Sequence, residues 1–203
     1  MNLDTLPFNW FDLVLLIALL MGLQRGRKHG MSEELMMLLK WMALMLGCAF
    51  FYQPIAGIIC GNSPVFSTLT GCLIAYVGTA LAIAAGFALI KKMVGEKLIS
   101  SEVFGRSEFY LGMLAGMVRF ACMLIMGLAL LNARQFNQAE IRADIKYQND
   151  IYGSNFFPKL YTIQAQVFQR SLTGPWIKDN FGFLLIKSTV PEKKELKRKE
   201  LDV

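Results

Sequence analysis

Three charged side chains lie inside runs of apolar residues, where charge is costly: Asp12, Lys40 and Arg119. At the centre of a bilayer each would cost roughly 3 kcal/mol or more if it faced lipid. Asp12 and Lys40 stand near the ends of their runs, so their side chains can extend to the interface, and we interpret both as structural. Arg119 stands near the middle of its run and therefore requires a partner, a polar cavity or water.

The partner of Arg119 is the first structural question that the sequence raises. Asp12 is the only carboxylate within a predicted membrane span, which makes a direct Asp12–Arg119 ion pair the first hypothesis. The alternatives are backbone carbonyls, the hydroxyl groups of Tyr76 or Thr79, and a residue of another subunit. The pair would have to bridge a difference in depth of about 12 Å, which requires tilted helices.

The stretch "GLQRGRKHG", residues 22–30, spaces three glycines at intervals of four: Gly22, Gly26 and Gly30. This spacing places them near one helical face, which favours close contact between backbones. A phosphate-binding loop needs other spacings, such as G-x-x-x-x-G-K-[ST]. Because Arg25 and the other basic residues occupy the remaining positions, we predict a helix end that emerges into the cytoplasm.

Residues suited to catalysis are few. His29 is the only histidine, which excludes an H-E-x-x-H metal site and disfavours a histidine-based triad. Glu33 and Glu34 could act as acid or base with His29, but we interpret them as part of a solvated loop. The four cysteines form no C-x-x-C pair and are predicted to be buried thiols: Cys48, Cys60, Cys72 and Cys122. We therefore expect no catalytic residues, no metal ligands and no cofactor.

Composition indicates a membrane protein. Of the 203 residues, 55% are hydrophobic and 18% are charged, and the mean hydropathy is +0.43. This apolar content exceeds what a soluble domain of this size carries. The formal net charge of +6 could suggest nucleic acid, but the chain has no nucleic-acid-binding motif. We expect the positive charge to face anionic lipid instead.

Four apolar segments are predicted to cross the membrane as helices: residues 10–23, 35–52, 66–90 and 109–131. The third is the clearest, because its twenty-five residues carry no charge. The sequence thus predicts an all-α membrane protein with about four transmembrane helices, followed by an amphipathic or interfacial helical region. As domains we predict a four-helix unit (1–132), a C-terminal helical region (133–186) and a charged flexible tail (187–203).

Basic residues in the loops predict the orientation. The loop after the first span and the loop after the third span carry Lys and Arg, whereas residues 53–65 between the second and third spans carry no charge. By the positive-inside rule the N-terminus and residues 53–65 lie outside. Four spans then place the C-terminal region outside as well. That placement conflicts with the twelve Lys and Arg that follow residue 132.

The C-terminal third has its own helical pattern. Apolar residues recur at helical spacing over residues 158–172, with Ser154 or Asn155 as the predicted cap and Gly174-Pro175 as the predicted end. The segment "WIKDNFGFLLI", 176–186, is too short to span a membrane and is rich in Trp and Phe. It could form part of a small soluble core, lie on the bilayer, or cap the four-helix unit.

Small residues mark two helix faces for close packing. Gly112 and Gly116 form a G-x-x-x-G face, and a second stripe follows residues 71–86 at the spacing of Gly71, Ala75, Gly78, Ala82 and Gly86. Packing within the chain explains both faces, and self-association is the alternative.

The N-terminal block of residues 9–56 resembles the opening of the colicin V production protein (CvpA) family. The matching features are an early Asp, spaced glycines with an Arg-Gly pair, a Glu-Leu helix start, and aromatics with proline: Asp12, Gly22, Arg25, Gly26, Gly30, Glu34, Leu35, Phe51, Tyr52 and Pro54. The block "YLGMLAGMVRF" is similar to the family's G-x-x-x-G-x-x-R-G segment, with Gly112, Gly116 and Arg119, although Phe120 replaces the final glycine. "SNFFPKL" is similar to a Ser-x-x-x-Pro element. The resemblance covers roughly residues 8–175.

The resemblance implies a multi-pass bacterial inner-membrane protein associated with colicin V production or export and with envelope maintenance. It carries over no chemical activity. Our first functional hypothesis is therefore support of these processes by protein association without catalysis. The partners would be the lipid bilayer, other envelope membrane proteins or further copies in a homo-oligomer. The alternative is a small oligomeric channel or transporter component in which Arg119 lines an aqueous path. The candidate functional residues are Asp12, Gly22, Arg25, Gly26, Gly30, Gly112, Gly116 and Arg119.

Overall fold

The computed structural model describes residues 8–62, 67–94, 105–152 and 159–189. These residues are almost entirely helical, which confirms the predicted all-α class. Six α-helices follow one another, with a 3₁₀ turn before α3, a π-helical turn after α5 and a 3₁₀ turn after α6: α1 (Trp10–Asn62), α2 (Thr68–Val94), Gly105–Ser107, α3 (Glu108–Asn132), α4 (Gln138–Tyr152), α5 (Leu160–Ala165), Gln166–Arg170, α6 (Thr173–Phe181) and Gly182–Leu184.

Three of these helices are long and apolar enough to cross a membrane: α1, α2 and α3. Their most apolar windows have mean hydropathies of 1.8, 2.2 and 2.2. The predicted third span, apart from residues 66 and 67, lies in α2, and the fourth lies in α3. The first two predicted spans both fall within α1, whose 53 residues are interrupted at Gly30.

Gly30 divides α1 into two helical segments, α1a (residues 10–29) and α1b (residues 31–62). Its backbone has φ 72° and ψ 175°, a conformation that is essentially restricted to glycine. Phe11 and Tyr52 belong to the same core cluster, yet along one continuous helix they would lie about 60 Å apart. The chain therefore reverses at Gly30, and α1b returns alongside α1a.

The third helix packs against both arms of this hairpin. Gly22 lies against Gly116 and Gly26 against Gly112, so α1a and α3 are antiparallel. The second helix packs against α1b, where the Cys48 thiol lies 3.6 Å from the carbonyl oxygen of Tyr76. Only 11% of the apolar window of α2 is buried, against 33% for α3. One flank of α2 is thus left uncovered by the described part of the chain.

The C-terminal segments close one end of the bundle. Val167, Ile177 and Ile186 are buried in the same core cluster as Phe11 and Tyr52. Residues 133–135 and 189 are held together by two backbone hydrogen bonds and form a single parallel bridge between Arg134 and Thr189. Of the sequence-based alternatives for residues 176–186, the structure therefore supports packing as a cap on the helical unit.

The predicted end of the C-terminal helix is wrong. The helix formed by α5 and its π turn stops at Ser171, whose backbone is extended, and Gly174-Pro175 lies in the first turn of α6. Proline is accepted there because the first N–H groups of a helix have no helical acceptor. The predicted caps Ser154 and Asn155, and residues 190–203 of the predicted tail, lie outside the described residues.

Replacing Gly30 with alanine tests the reversal. We expect Gly30→Ala to lower the free energy of unfolding by about 1–3 kcal/mol, because alanine is strained at this φ and ψ. The added methyl group would also lie 2.8 Å from Cγ of Glu108. The measurement is the thermal unfolding midpoint in detergent. Gly78→Ala is the matched control, since its methyl group would meet nothing within 4 Å. Equal midpoints for the two variants would contradict the proposed role of Gly30.

Candidate functional site

Five glycines form a seam between α1a and α3. A Cβ atom added at Gly22 would lie 2.7 Å from the carbonyl oxygen of Gly116, and one added at Gly112 would lie 2.5 Å from that of Gly26. Real Cβ atoms essentially never approach backbone this closely. The seam therefore requires glycine at these positions, which lets the two backbones touch. Gly30 completes the seam against Gly112 and Glu108.

The structure thus brings together five of the eight predicted site residues: Gly22, Gly26, Gly30, Gly112 and Gly116. Packing within the chain accounts for the G-x-x-x-G face of α3. It does not account for the whole stripe on α2. Gly71 lies against the Cys60 thiol and the Ala56 carbonyl oxygen, but Gly78 and Gly86 have nothing within 4 Å of a Cβ position.

A buried ion pair lies beside the seam, between Glu34 of α1b and Arg119 of α3. The Arg119 guanidinium donates to Oε2 of Glu34, and the two residues are 3% and 1% exposed respectively. The same nitrogen, Nη1, lies 3.1 Å from Sδ of Met37, and the guanidinium lies 5.2 Å from the centre of the Phe120 ring. Nε of Arg119 is buried without a partner among the described residues.

The predicted Asp12–Arg119 pair is wrong, and so is the solvated position expected for Glu34. Arg119 is neutralised by Glu34, which carries its carboxylate into the protein just after the reversal at Gly30. Glu33, by contrast, is exposed. Thr79 is not among the partners of Arg119; its hydroxyl donates to the carbonyl oxygen of Ala75 within α2.

One signal in the sequence could have identified Glu34. It continues the four-residue series that begins with Gly22, Gly26 and Gly30. The matching series on α3 runs from Gly112 through Gly116 to Arg119. Each row of glycines therefore ends in one of the two opposite charges.

His29 lies at the edge of this pair. Its Nδ1 is 4.0 Å from Oε1 of Glu34 and 2.9 Å from the carbonyl oxygen of Arg25. The side chain of Arg25 is exposed and takes no part in the buried pair. Among the described residues there is no cluster of three or more His, Cys, Asp or Glu side chains that could hold a metal ion.

Asp12 performs a different task at the other end of α1a. Its carboxylate accepts hydrogen bonds from the backbone N–H groups of Leu172 and Thr173, each at 3.1 Å, and from the Thr173 hydroxyl. It also accepts one from the backbone N–H of Asn9 at 3.0 Å. Free N–H groups and the positive end of the helix dipole make a helix N-terminus a suitable site for a carboxylate. Asp12 therefore caps α6 from a distant part of the sequence.

Further hydrogen bonds join the cap to α1. The Asn9 side chain donates to the carbonyl oxygen of Gln166 at 3.1 Å, and Trp10 Nε1 donates to the Gln166 side chain. On α1b, the Tyr52 hydroxyl accepts a hydrogen bond from the backbone N–H of Lys187 at 3.1 Å. Both arms of the hairpin thus hold the C-terminal segments.

Comparison with known proteins places these features in a family. The family model described as Colicin V production protein matches residues 11–177. The chain belongs to the colicin V production protein family. The match includes the glycine seam, the Glu34–Arg119 pair, Asp12 and the start of α6, so the resemblance seen in the sequence is confirmed. Neither a curated protein nor a solved structure matches this family member.

A double-mutant cycle tests the buried pair of this colicin V production family member. We expect Glu34→Gln to lower the free energy of unfolding by about 3–5 kcal/mol, because it leaves Arg119 buried and uncompensated. The cycle is completed by Arg119→Met and by the double variant Glu34→Gln, Arg119→Met. The double variant should recover much of the loss, since it removes both charges. Denaturant unfolding in detergent measures both effects. Glu33→Gln is the exposed control and should change little; additive losses in the cycle would argue against the pair.

Removing the distant cap tests Asp12. We expect Asp12→Ala to cost about 1 kcal/mol or more, because the N–H groups at the start of α6 lose their acceptor. The cap should then open more often, so protease should cleave within residues 159–189 faster than in the unaltered protein. Asp179→Ala, at an exposed position on α6, is the matched control. Unchanged cleavage in Asp12→Ala would show that the carboxylate does not anchor the cap.

Proposed function

We propose that this protein spans the bacterial inner membrane four times, with α1a and α1b each crossing once. The reversal at Gly30 supports this topology, because it gives α1 the form of two antiparallel apolar helices rather than one long rod. At about 30 Å, α1a is long enough for the hydrocarbon layer when its flanking residues are included.

Charge supports an orientation with the reversal in the cytoplasm. Basic residues cluster at the Gly30 end in Arg25, Arg27 and Lys28, and Lys91 and Lys92 lie in the last turn of α2. The opposite end of the bundle, marked by Phe11 and Tyr52, holds the C-terminal cap. The positive-inside rule then places the cap outside the cytoplasm.

Exposed apolar and aromatic side chains of the cap support its contact with the inner membrane, at the interface that faces away from the cytoplasm. Leu172, Trp176 and Phe183 are between 58% and 63% exposed on and beside α6. Trp10, at the start of α1a, is 44% exposed at the same end. Tryptophan at the headgroup level is typical of membrane proteins, and these side chains fit an interfacial cap.

The function we propose is support of toxin production or export, or of envelope maintenance, through association with other envelope membrane proteins and without catalysis. The observation that carries this proposal is the uncovered flank of α2, on which Leu81 is 66% exposed and Gly78 and Gly86 are open to a neighbouring helix. Open glycines permit another helix to approach closely, as the internal seam does between α1a and α3. Toxin production is proposed as the process because the family is described by colicin V production.

The channel alternative loses the residue on which it depended. An anion-selective path needs Arg119 to face water with its charge available. Arg119 is 3% exposed and paired with Glu34, so the charge is compensated within one chain. We therefore do not favour an aqueous path.

Site-specific photo-crosslinking in living cells tests the association. A photoreactive residue at position 81 should give discrete protein adducts, and Gly78→Leu should reduce both the adducts and toxin production in cells that lack the native copy. Gly127→Leu is the matched control, because Gly127 on α3 is equally open. Adducts with lipid alone, or protein adducts that Gly78→Leu leaves undiminished, would contradict the proposal. So would an ion or solute flux carried by the purified protein in liposomes.

A further inference from the structure

A cavity of about 310 Å³ lies in the C-terminal cap, away from the glycine seam and the buried pair. It is enclosed by the end of α3, the start of α4, α5 with its π turn, and α6. Its volume is at the lower end of the range for small-molecule sites. Its lining includes amide side chains and a lysine, which distinguishes it from a gap between apolar helices.

Two amide side chains in the cavity wall are fixed by the protein's own backbone. Nδ2 of Asn132 donates to the carbonyl oxygen of Ile186 at 2.9 Å. Nε2 of Gln164 donates to the carbonyl oxygens of Arg134 at 3.0 Å and Leu131 at 3.3 Å. Gln164 uses both of its N–H groups in these bonds and Asn132 uses one of its two, so the amide oxygens are the acceptors that the two side chains keep for a ligand. The wall therefore offers fixed acceptors for O–H or N–H donors.

Aromatic rings form another part of the wall. Phe136 and Tyr161 pack edge to face with their ring centres 5.9 Å apart. Phe168, on the π turn, lies beneath Lys178, whose Nζ is 5.7 Å from the ring centre. The rings supply flat apolar surface next to the polar acceptors, which is the usual combination in a small-molecule site.

The cavity has a positive charge and no negative one among its described lining residues. Lys178 of α6 is the sole formally charged side chain in that lining. Arg134 lies over the Phe136 ring, 4.6 Å from its centre, but it does not line the cavity, and Glu140 pairs with it and compensates its charge. An anionic group of a ligand is therefore attracted to the part of the cavity next to Lys178.

We propose that this cavity binds a small carboxylate that also carries hydroxyl or N–H donors, such as an acidic sugar or a short peptide. The carboxylate lies at Lys178, and the donors meet the fixed oxygens of Asn132 and Gln164. The aromatic rings of Phe136 and Tyr161 pack against the apolar face of the ligand.

The way the cavity is built supports a binding role. The wall includes the π turn Gln166–Arg170, and π-helical turns occur frequently at functional sites. The lining residue Gln135 is held by a hydrogen bond from its backbone N–H to the carbonyl oxygen of Thr189 at 3.1 Å. The acceptors are therefore in place before a ligand arrives, which reduces the entropic cost of binding.

Calorimetric titration of the full chain in nanodiscs tests this proposal, with glucuronate and the dipeptide alanyl-alanine as probes. Glucose is the neutral control for the first probe. We expect one of the two carboxylates to bind and glucose to bind more weakly. Lys178→Met should weaken that binding roughly fivefold, the effect of losing one exposed charge contact. Lys146→Met, which removes an exposed charge from α4 outside the cavity, should leave binding unchanged.

A second variant keeps the test decisive if Lys178→Met does not fold. Gln135→Glu adds a carboxylate at the cavity mouth without removing a side-chain hydrogen bond, and it should weaken binding by repulsion. Binding of glucuronate alone would identify an acidic sugar, and binding of alanyl-alanine alone a peptide. Absence of binding by both probes, or equal affinity for glucose and glucuronate, would overturn the proposal. Because binding is measured on purified protein, the result is independent of topology and association.

Discussion

Direct contact between the backbones of α1a and α3 is the constraint on which the rest of the structure depends. Side chains larger than hydrogen at Gly22, Gly26, Gly112 or Gly116 would push the two helices apart. Separation would also move α1b, because Gly30 joins it to α1a through a backbone conformation that only glycine adopts easily. The seam thus sets the distance between α1a and α3. The reversal at Gly30 determines the side of α3 against which α1b packs.

The buried charges follow from that geometry rather than creating it. A buried ion pair contributes little net stability, because desolvation offsets most of the attraction. Its value lies in specificity: if α1b slipped by one turn along α3, Glu34 and Arg119 would each be left uncompensated in an apolar environment. Together with the seam, the pair therefore selects one register for the hairpin. Nε of Arg119 has no partner among the described residues, so Glu34 accounts for only part of the hydrogen-bonding capacity of the guanidinium.

Periodicity and composition predicted the helical class, the long apolar helices and the glycine faces, because these properties depend on local spacing. The partners of those faces depend on how distant segments meet, so the sequence indicated that Gly112 and Gly116 pack closely without indicating Gly22 and Gly26 as their partners. Glu34 was missed for a related reason. It follows three basic residues and a glycine, which is typical of a solvated loop, and only the reversal at Gly30 turns it inward. Asp12 was expected to be structural, but its acceptor role depends on α6, about 160 residues later.

Buried charges lie near both ends of α1a, and they are compensated by different kinds of partner. At the Gly30 end, a full negative charge on α1b meets a full positive charge on α3. At the Trp10 end, the carboxylate of Asp12 meets only backbone N–H groups and a hydroxyl, which are the partial charges of a helix start. The second arrangement requires that α6 be folded and docked, so the cap and α1a stabilise each other. The buried charges at both ends of α1a are thus compensated within the chain and are not available to a partner. The exposed flank of α2 is almost entirely apolar, so contacts of a neighbouring helix with that flank depend on shape rather than on charge.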